Sequence, residues 1–301
     1  MRSQAPGKIC DGLWYLGNPE SGVYLLESSD ESMVISGGMS YIVPSILRQL
    51  TEVGLREDRI RKVLILHAHF DHIGIIPFLS RRHPEITIYA SQRATEILAN
   101  PRSIRTINEF SRNVAARMGM EDVYSQYDLE WSPGLVGETV YDGDIINIGG
   151  LEVRILSTPG HSSCSISAYA PQLRALFPSD GGGVPYKDTI LTAANSNFTQ
   201  YLESLKKLEL LQVDYLCADH YGYVCGEEAR DYITHSLECA EEDYERQKAL
   251  YLRTRNIDAA AKEVASTFLA DNPDYLLTAE IFEGVCRQTM RHIARCVDGL
   301  D

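Results

Sequence analysis

Val63-Leu64-Ile65-Leu66-His67-Ala68-His69-Phe70-Asp71-His72 is the stretch on which the reading of this chain turns. Its first four residues are branched or leucine side chains, too few for a helix and apolar on both faces. They fit a strand buried between two layers. The next six place three imidazoles and a carboxylate at the carboxyl end of that strand. Imidazole and carboxylate are ligands that first-row divalent metals accept, and the edge of an α/β sheet is where such groups gather.

The same arrangement recurs three times further along. His161 follows the apolar run Leu151 to Leu156 through Thr158-Pro159-Gly160, and Asp180 follows Ala175-Leu176-Phe177 through Pro178-Ser179. His220 follows Tyr215-Leu216-Cys217-Ala218 through Asp219. Strands of one orientation would bring all four segments to one edge. A histidine standing alone is more often a packing or surface residue, and His83, His235 and His292 are read that way.

The rest of the chain sorts into a strand-rich α/β region and a helical tail. Short apolar stretches at Gly22 to Glu27 and Ser32 to Ser36 suggest an antiparallel opening, and Val43 to Val53 has helical spacing that Gly54 ends. A short helix is expected over Ile73 to Leu79 and a strand over Ile86 to Ala90. From Gln92 to Met118 the pattern is helical, with Ile104, Ile107, Phe110, Val114 and Met118 on one stripe. That segment reads as core-packing helices and also as an inserted arm over the site. Strands return between residues 136 and 225, interrupted by a helix near Phe198 to Leu211. Beyond Gly226 the pattern is helical to the end, so a boundary is placed at 225: a catalytic domain over 1–225, with its insertion at about 92–118, and a helical extension over 226–301.

Composition narrows the function. Lys and Arg total 28 against 42 Asp and Glu, a formal charge of -14. Basic runs are short (Arg59 to Lys62, Arg81-Arg82), which argues against nucleic acid. Seven cysteines, odd in number and without a Cys-x-x-Cys pair, suit a reducing compartment. The first 25 residues lack the apolar region of a signal peptide, and no run approaches a membrane span. A cytoplasmic enzyme is therefore expected, with no membrane partner and, where it assembles, a homodimer.

His67-x-His69-x-Asp71-His72, followed at long range by His161, Asp180 and His220, resembles the ligand signature of the metallo-β-lactamase superfamily over residues 1 to about 225. The resemblance implies a four-layer αβ/βα sandwich with two divalent metals at one edge. His67, His69 and His161 would hold the first ion, Asp71, His72 and His220 the second, and Asp180 would bridge them. Zinc is the default, with iron or manganese as alternatives. The last ligand sits in Ala218-Asp219-His220-Tyr221-Gly222 where many thioesterase-like members have Pro-Gly-His-Gly, and Cys164 lies near His161 without replacing a ligand. Length, insertion and tail look like the glyoxalase II-like branch. They are also similar to the pseudomonad quinolone-response thioesterases, in which C-terminal helices shield the metals.

The chemistry expected is hydrolysis of a small thioester or comparable ester by a hydroxide held between the ions, with Asp71 and Asp180 as the catalytic carboxylates. A thiolate leaves with little acid assistance, because its conjugate acid titrates near pH 8.5. Phe70, Ser162, Tyr186 and Tyr221 are the candidates for substrate contact or ligand support; Ser163 and Tyr223 share that neighbourhood. Acyl-lactone hydrolysis, phosphodiester hydrolysis and a regulatory role through partner binding remain as alternatives. β-Lactam hydrolysis is disfavoured by the absent export signal, and a fold name is not an activity.

Overall fold

The strand containing Val63, Leu64 and Ile65 is covered on both faces, because its side chains alternate and each side meets its own layer. Val63 and Ile65 join an apolar cluster with Ile46 and Leu50, whereas Leu64 and Leu66 join another with Val153, Ile155 and Phe177. The structure, a computed structural model, describes residues 1–275 and 277–300.

The chain opens with β1 (Arg2–Ser3), β2 (Gly7–Cys10), β3 (Leu13–Asn18), β4 (Ser21–Glu27) and β5 (Ser32–Ile35). Helix α1 (Val43–Glu52) leads to β6 (Ile60–Ile65), and α2 (Ile76–Arg82) leads to β7 (Thr87–Ser91). Then α3 (Gln92–Ala99), α4 (Pro101–Arg117) and the short α5 (Val123–Gln126) lead to β8 (Glu138–Val140). The second half contains β9 (Ile145–Ile148), β10 (Leu151–Ser157), β11 (Ile166–Ala170), β12 (Ala175–Phe177), β13 (Val184–Tyr186) and β14 (Thr189–Leu191). After α6 (Phe198–Glu209) come β15 (Tyr215–Cys217), β16 (Tyr223–Cys225) and the helices α7 (Glu227–Thr254), α8 (Ile257–Asp271) and α9 (Ala279–Val297).

Among the described residues two seven-stranded sheets form, in the orders β2-β3-β4-β5-β6-β7-β8 and β1-β16-β15-β12-β11-β10-β9, with β13 and β14 a separate hairpin. Pairs β5–β6, β6–β7, β7–β8 and β12–β15 are parallel, and a helical crossover joins each of them, as parallel pairing requires. One cluster packs α1 to α4 on the first sheet, a second fills the space between sheets, and a third packs α6 to α9 on the second sheet. This is the four-layer αβ/βα sandwich expected from the motif. No helix among the described residues is long and apolar enough to cross a membrane.

Local chemistry explains where the sequence reading shifts. The helical run from Gln92 is split at Asn100, whose side chain caps α4 by accepting from the Arg102 and Ser103 amides, with Pro101 in the first turn. Met118 leaves the expected stripe, since α4 ends at Arg117 and Gly119 turns the chain at φ 66°; its side chain is exposed. The helix expected from Ile73 starts three residues later at Ile76, because Phe70 to His72 form a tight 3₁₀ turn. The β13–β14 hairpin carries no sequence signal of its own, being three residues a side with Lys187 at φ 50° in its turn.

The tail does not stand apart in packing. Tyr232, Ile233 and Ala240 of α7 and Met290 and Ile293 of α9 belong to one cluster with Leu176, Leu216 and Phe198 of the sheet side.

Gly160, directly before His161, is a backbone position with little tolerance. It has φ 131°, and a Cβ there would lie 2.3 Å from the Tyr201 amide nitrogen. Gly160→Ala is expected to cost at least about 2 kcal/mol through strain and overlap, lowering Tm by roughly 4 °C or more. Gly284→Ala, in an open helical position, should leave Tm unchanged or slightly higher. Thermal unfolding of the two variants checks the contrast; equal melting would remove the argument.

Candidate metal centre

Four strand ends deliver the polar residues. β6, from the first sheet, carries His67 to His72 just beyond its last residue; β10, β12 and β15, from the second sheet, precede His161, Asp180 and His220. The ligand loop is held by backbone bonds to the Gly37-Gly38 turn after β5: the Gly37 amide donates to His72 O at 2.6 Å, and the Gly74 amide to Gly38 O at 2.7 Å. Glycine is needed at 74, where a Cβ would come within 2.1 Å of the Ser40 amide nitrogen.

All seven predicted polar residues come together. His67, His69 and His161 form one group, Asp71, His72 and His220 another, and His67, His72 and Asp180 a third between them, each with ligand atoms within 4.8 Å of one another. In the first group His69 Nδ1 is 3.0 Å from His67 Nε2 and 3.0 Å from His161 Nε2. In the second, His72 Nε2 and His220 Nε2 are 3.2 Å apart, and Asp71 Oδ2 is 3.6 Å from each. Asp180 Oδ2 is 3.4 Å from His161 Nε2 and 3.4 Å from His72 Nε2, so this carboxylate spans the two groups. Its Oδ1 is buried without a hydrogen-bond partner.

The far nitrogens show why these lone pairs point inward. His161 Nδ1 donates to Ala193 O at 2.8 Å, His220 Nδ1 to Glu20 O at 2.7 Å, and His72 Nδ1 to Asp219 Oδ2 at 2.7 Å. Such bonds fix the tautomer and leave Nε2 free to ligate. Several imidazole lone pairs 3 Å apart repel unless a cation or proton lies among them, and nitrogen and carboxylate donors without thiolate suit zinc, iron or manganese. The residues therefore fit a pair of divalent ions.

The two groups titrate in opposite directions. Burial, with the neighbouring imidazoles, pushes His67 well below its usual pKa and His69 down to about 4; burial also lowers His161. Burial would depress His72 and His220 too, but Asp180 and Asp71 outweigh it, holding His72 well above the usual value and His220 at about 9. The same pairing keeps Asp71 and Asp180 below the ordinary carboxylate range against the opposing effect of burial.

The remaining candidates take different places. Phe70 stacks on Phe110 of α4, centroids 5.5 Å apart, and both line a cavity that opens from the polar cluster. Tyr221 lines it as well, next to His220 and at φ 60°; Tyr186 is buried behind Tyr221, with ring centroids 5.0 Å apart. Ser162 is turned into its own loop, with Oγ 2.7 Å from Ser165 Oγ and 3.2 Å from Cys164 Sγ. Tyr223 is part of β16 and packs on Tyr15. His83 pairs with Glu57, His292 is buried beside Thr199 and His235 is exposed; none joins the cluster.

Two residues that sequence reasoning misses are Ser179 and Asp219. Both are buried, and Ser179 Oγ donates to Asp219 Oδ2 at 2.5 Å. The signal available was Asp219 itself, an acid directly before a ligand in Ala218-Asp219-His220.

The cavity has a volume of about 1150 Å³. Ile107 and Phe110 of α4 form one wall, and Leu250, Phe268, Phe282 and Val285 of α7 to α9 form another. The tail thus closes over the centre. An edge-to-face chain of rings, Tyr221–Tyr186–Tyr275–Phe268, links the loop of the last ligand to α8.

Comparison with known proteins adds the family context. The profile described as "Metallo-beta-lactamase superfamily" matches residues 20–220. The chain is 26% identical over 178 residues to the acyl-coenzyme A thioesterase MBLAC2 of Homo sapiens, covering 56% of this chain and 60% of that protein. It is 29% identical over 182 residues to the hydroxyacylglutathione hydrolase of Erwinia tasmaniensis, covering 58% of this chain and 53% of that protein. These matches thus span little more than half of each relative. In fold, a metallo-beta-lactamase family protein from Thermus thermophilus aligns over 97% of this chain and 95% of its own, with TM-score 0.67 and 17% identity.

The split in pKa makes metal loading depend on pH in a definite way. His67 and His69 are held well below the usual imidazole pKa and His161 is lowered too, whereas an ion entering beside His72 and His220 must displace protons until the pH passes about 9. Equilibrium titration with zinc against a chromophoric chelator should give one affinity that changes little with pH and a second that strengthens as pH rises toward about 9. Two affinities with the same pH slope would contradict this electrostatic picture.

Proposed function

The chain belongs to the metallo-β-lactamase superfamily, and we propose that it is a dinuclear metal-dependent hydrolase acting on a thioester, or comparable ester, with an apolar acyl part. The observation that carries this reading is the convergence of five imidazoles and two carboxylates at the foot of a largely apolar cavity. In this reading His67, His69 and His161 hold one ion, Asp71, His72 and His220 the other, and Asp180 bridges. Zinc is the proposed metal, with iron and manganese acceptable to the same donors.

A pair of divalent ions would supply Lewis-acid polarisation of the carbonyl and water acidified to a nucleophile near neutral pH. The chain's own groups do the rest. Asp180, kept strongly acidic by His72, His220 and His161, serves better to orient water through Oδ1, which has no hydrogen-bond partner and lies 3.7 Å from His220 Nε2, than to store a proton. The Tyr221 phenol, pushed up to about 12 by burial, Tyr186 and Glu20, stays protonated at neutral pH and can donate to the substrate oxygen. Phe110, Phe268 and Phe282 exclude water and receive the acyl group. The Tyr221 and Tyr275 phenols line the cavity; a thiolate leaving group needs neither for protonation.

The cavity rim favours an uncharged carrier over a polyanion. Its charged residues are Glu242, Asp243, Glu263 and Asp271 against Arg246 and Arg253, and those arginines pair with Asp243 and Glu263. This lowers phosphodiester hydrolysis, which would require phosphate-gripping cations. The thioesterase and hydroxyacylglutathione hydrolase relatives support the reaction class.

A panel of acyl thioesters, acyl lactones and bis(p-nitrophenyl) phosphate tests the reading on zinc-loaded protein. Thioesters are expected to be turned over fastest, and Asp180→Ala should lower kcat/KM at least about 100-fold. Faster turnover of lactones would reassign the substrate, and turnover of the phosphodiester without esterase activity would reassign the reaction. Added salt should raise kcat/KM for an acyl-CoA, by screening the acidic rim, while leaving an acyl N-acetylcysteamine unaffected.

A further inference from the structure

Asp219 belongs to neither ligand group, yet one of its oxygens reaches both. Oδ2 accepts from His72 Nδ1 at 2.7 Å, from Ser179 Oγ at 2.5 Å and from Ser36 Oγ at 3.0 Å. Ser179 Oγ is in turn 3.1 Å from His67 Nδ1. A serine hydroxyl has one proton. If it is given to Asp219, the oxygen is left to accept from His67 Nδ1, and the imidazole presents Nε2 to the first group. His72 is set directly by the same carboxylate and presents Nε2 to the second.

Burial gives this geometry its weight. Asp219, Ser179 and Ser36 are all at least 97% buried, so no bulk solvent competes for these donors. Ser179 keeps its hydroxyl at φ 50°, a backbone conformation that glycine would adopt more easily. Bonds to a carboxylate are the strong, directional ones, and a ligand imidazole held by a carboxylate binds metal more firmly.

We infer that Asp219 is the positioning residue for both metal sites: it sets the tautomer and orientation of His72 directly and of His67 through Ser179. This rests on the proposed reading that the two groups hold metal ions. It makes the acid in Ala218-Asp219-His220 a working part of the centre and not a spacer before its last ligand.

Cobalt(II) titration of the metal-free full chain, followed by visible absorption, tests the role without reference to turnover. Asp219→Ala should weaken both affinities by about 10- to 100-fold and shift the ligand-field spectrum, most at the His72 site. Asp219→Asn keeps an oxygen for His72 Nδ1 and should recover part of that site. Ser179→Gly, which suits the backbone there, should weaken the His67 site alone. Thermal unfolding of each metal-free variant identifies any that fail to fold; should Asp219→Ala do so, Asp219→Asn and Ser179→Gly decide. Two cobalt ions bound with unchanged affinity and spectrum in the folded Asp219 variants would overturn the role. A wild-type protein that binds two cobalt ions and hydrolyses no ester would overturn the hydrolase reading while leaving Asp219 its function. Wild type that takes up no cobalt would overturn both.

Discussion

Imidazole lone pairs held 3 Å apart in a buried pocket are the constraint from which the rest of this structure follows. His67, His69 and His161 cannot sit together as neutral rings without mutual repulsion, nor as cations without a prohibitive charge. The fold holds the rings in place by gripping far nitrogens, Ala193 O taking that of His161 and Ser179 that of His67, while in the neighbouring group Glu20 O takes that of His220 and Asp219 that of His72. Those four acceptors come from widely separated parts of the chain. The sandwich brings them to one edge, and the centre is therefore as much a product of the two sheets meeting as of the short motif after β6.

The helical tail answers a different requirement. Ligands at a sheet edge face solvent unless something covers them, and water in the cavity would weaken every polar interaction with substrate. Here α4 covers one side and α7 to α9 the other. The cover is tied to the chemistry at two points: Phe110 stacks on Phe70, inside the ligand loop, and Tyr275 and Phe268 reach Tyr221 through Tyr186. The tail also shares its apolar cluster with the second sheet, so displacing it would expose Leu176 and Leu216 as well as the cavity.

The legible and the illegible parts of the sequence differ for physical reasons. Val63 to Ile65 and Ala175 to Phe177 announce themselves because a strand between layers must be apolar on both faces, and Asn100 and Gly119 act through capping and turn rules that refine a helix already visible. The seven polar residues could be read as one set because the four segments that carry them each lie just past an apolar run. Asp219 and Ser179 could not. Their role depends on which imidazole nitrogen each one faces, a relation across 147 residues for Asp219 and His72 and across 112 for Ser179 and His67. The β13–β14 hairpin was hidden because three-residue strands carry too little pattern to register.

Charge balance connects the buried acid to the proposed reaction. Two divalent ions would bring four positive charges, and Asp71, Asp180 and Asp219 would return three, leaving a single positive charge at the foot of the cavity. Such a centre is matched to one developing negative charge. The tetrahedral state of acyl transfer has one, whereas in-line attack on a phosphodiester by hydroxide develops two. With only Asp71 and Asp180 the balance would shift toward the second. The acidic rim pushes the same way, since Glu242 and Asp271 add negative charge where a phosphate would have to enter. In the proposed reading, inner and outer carboxylates thus act on one choice from opposite ends of the cavity, and both would favour an ester over a phosphate.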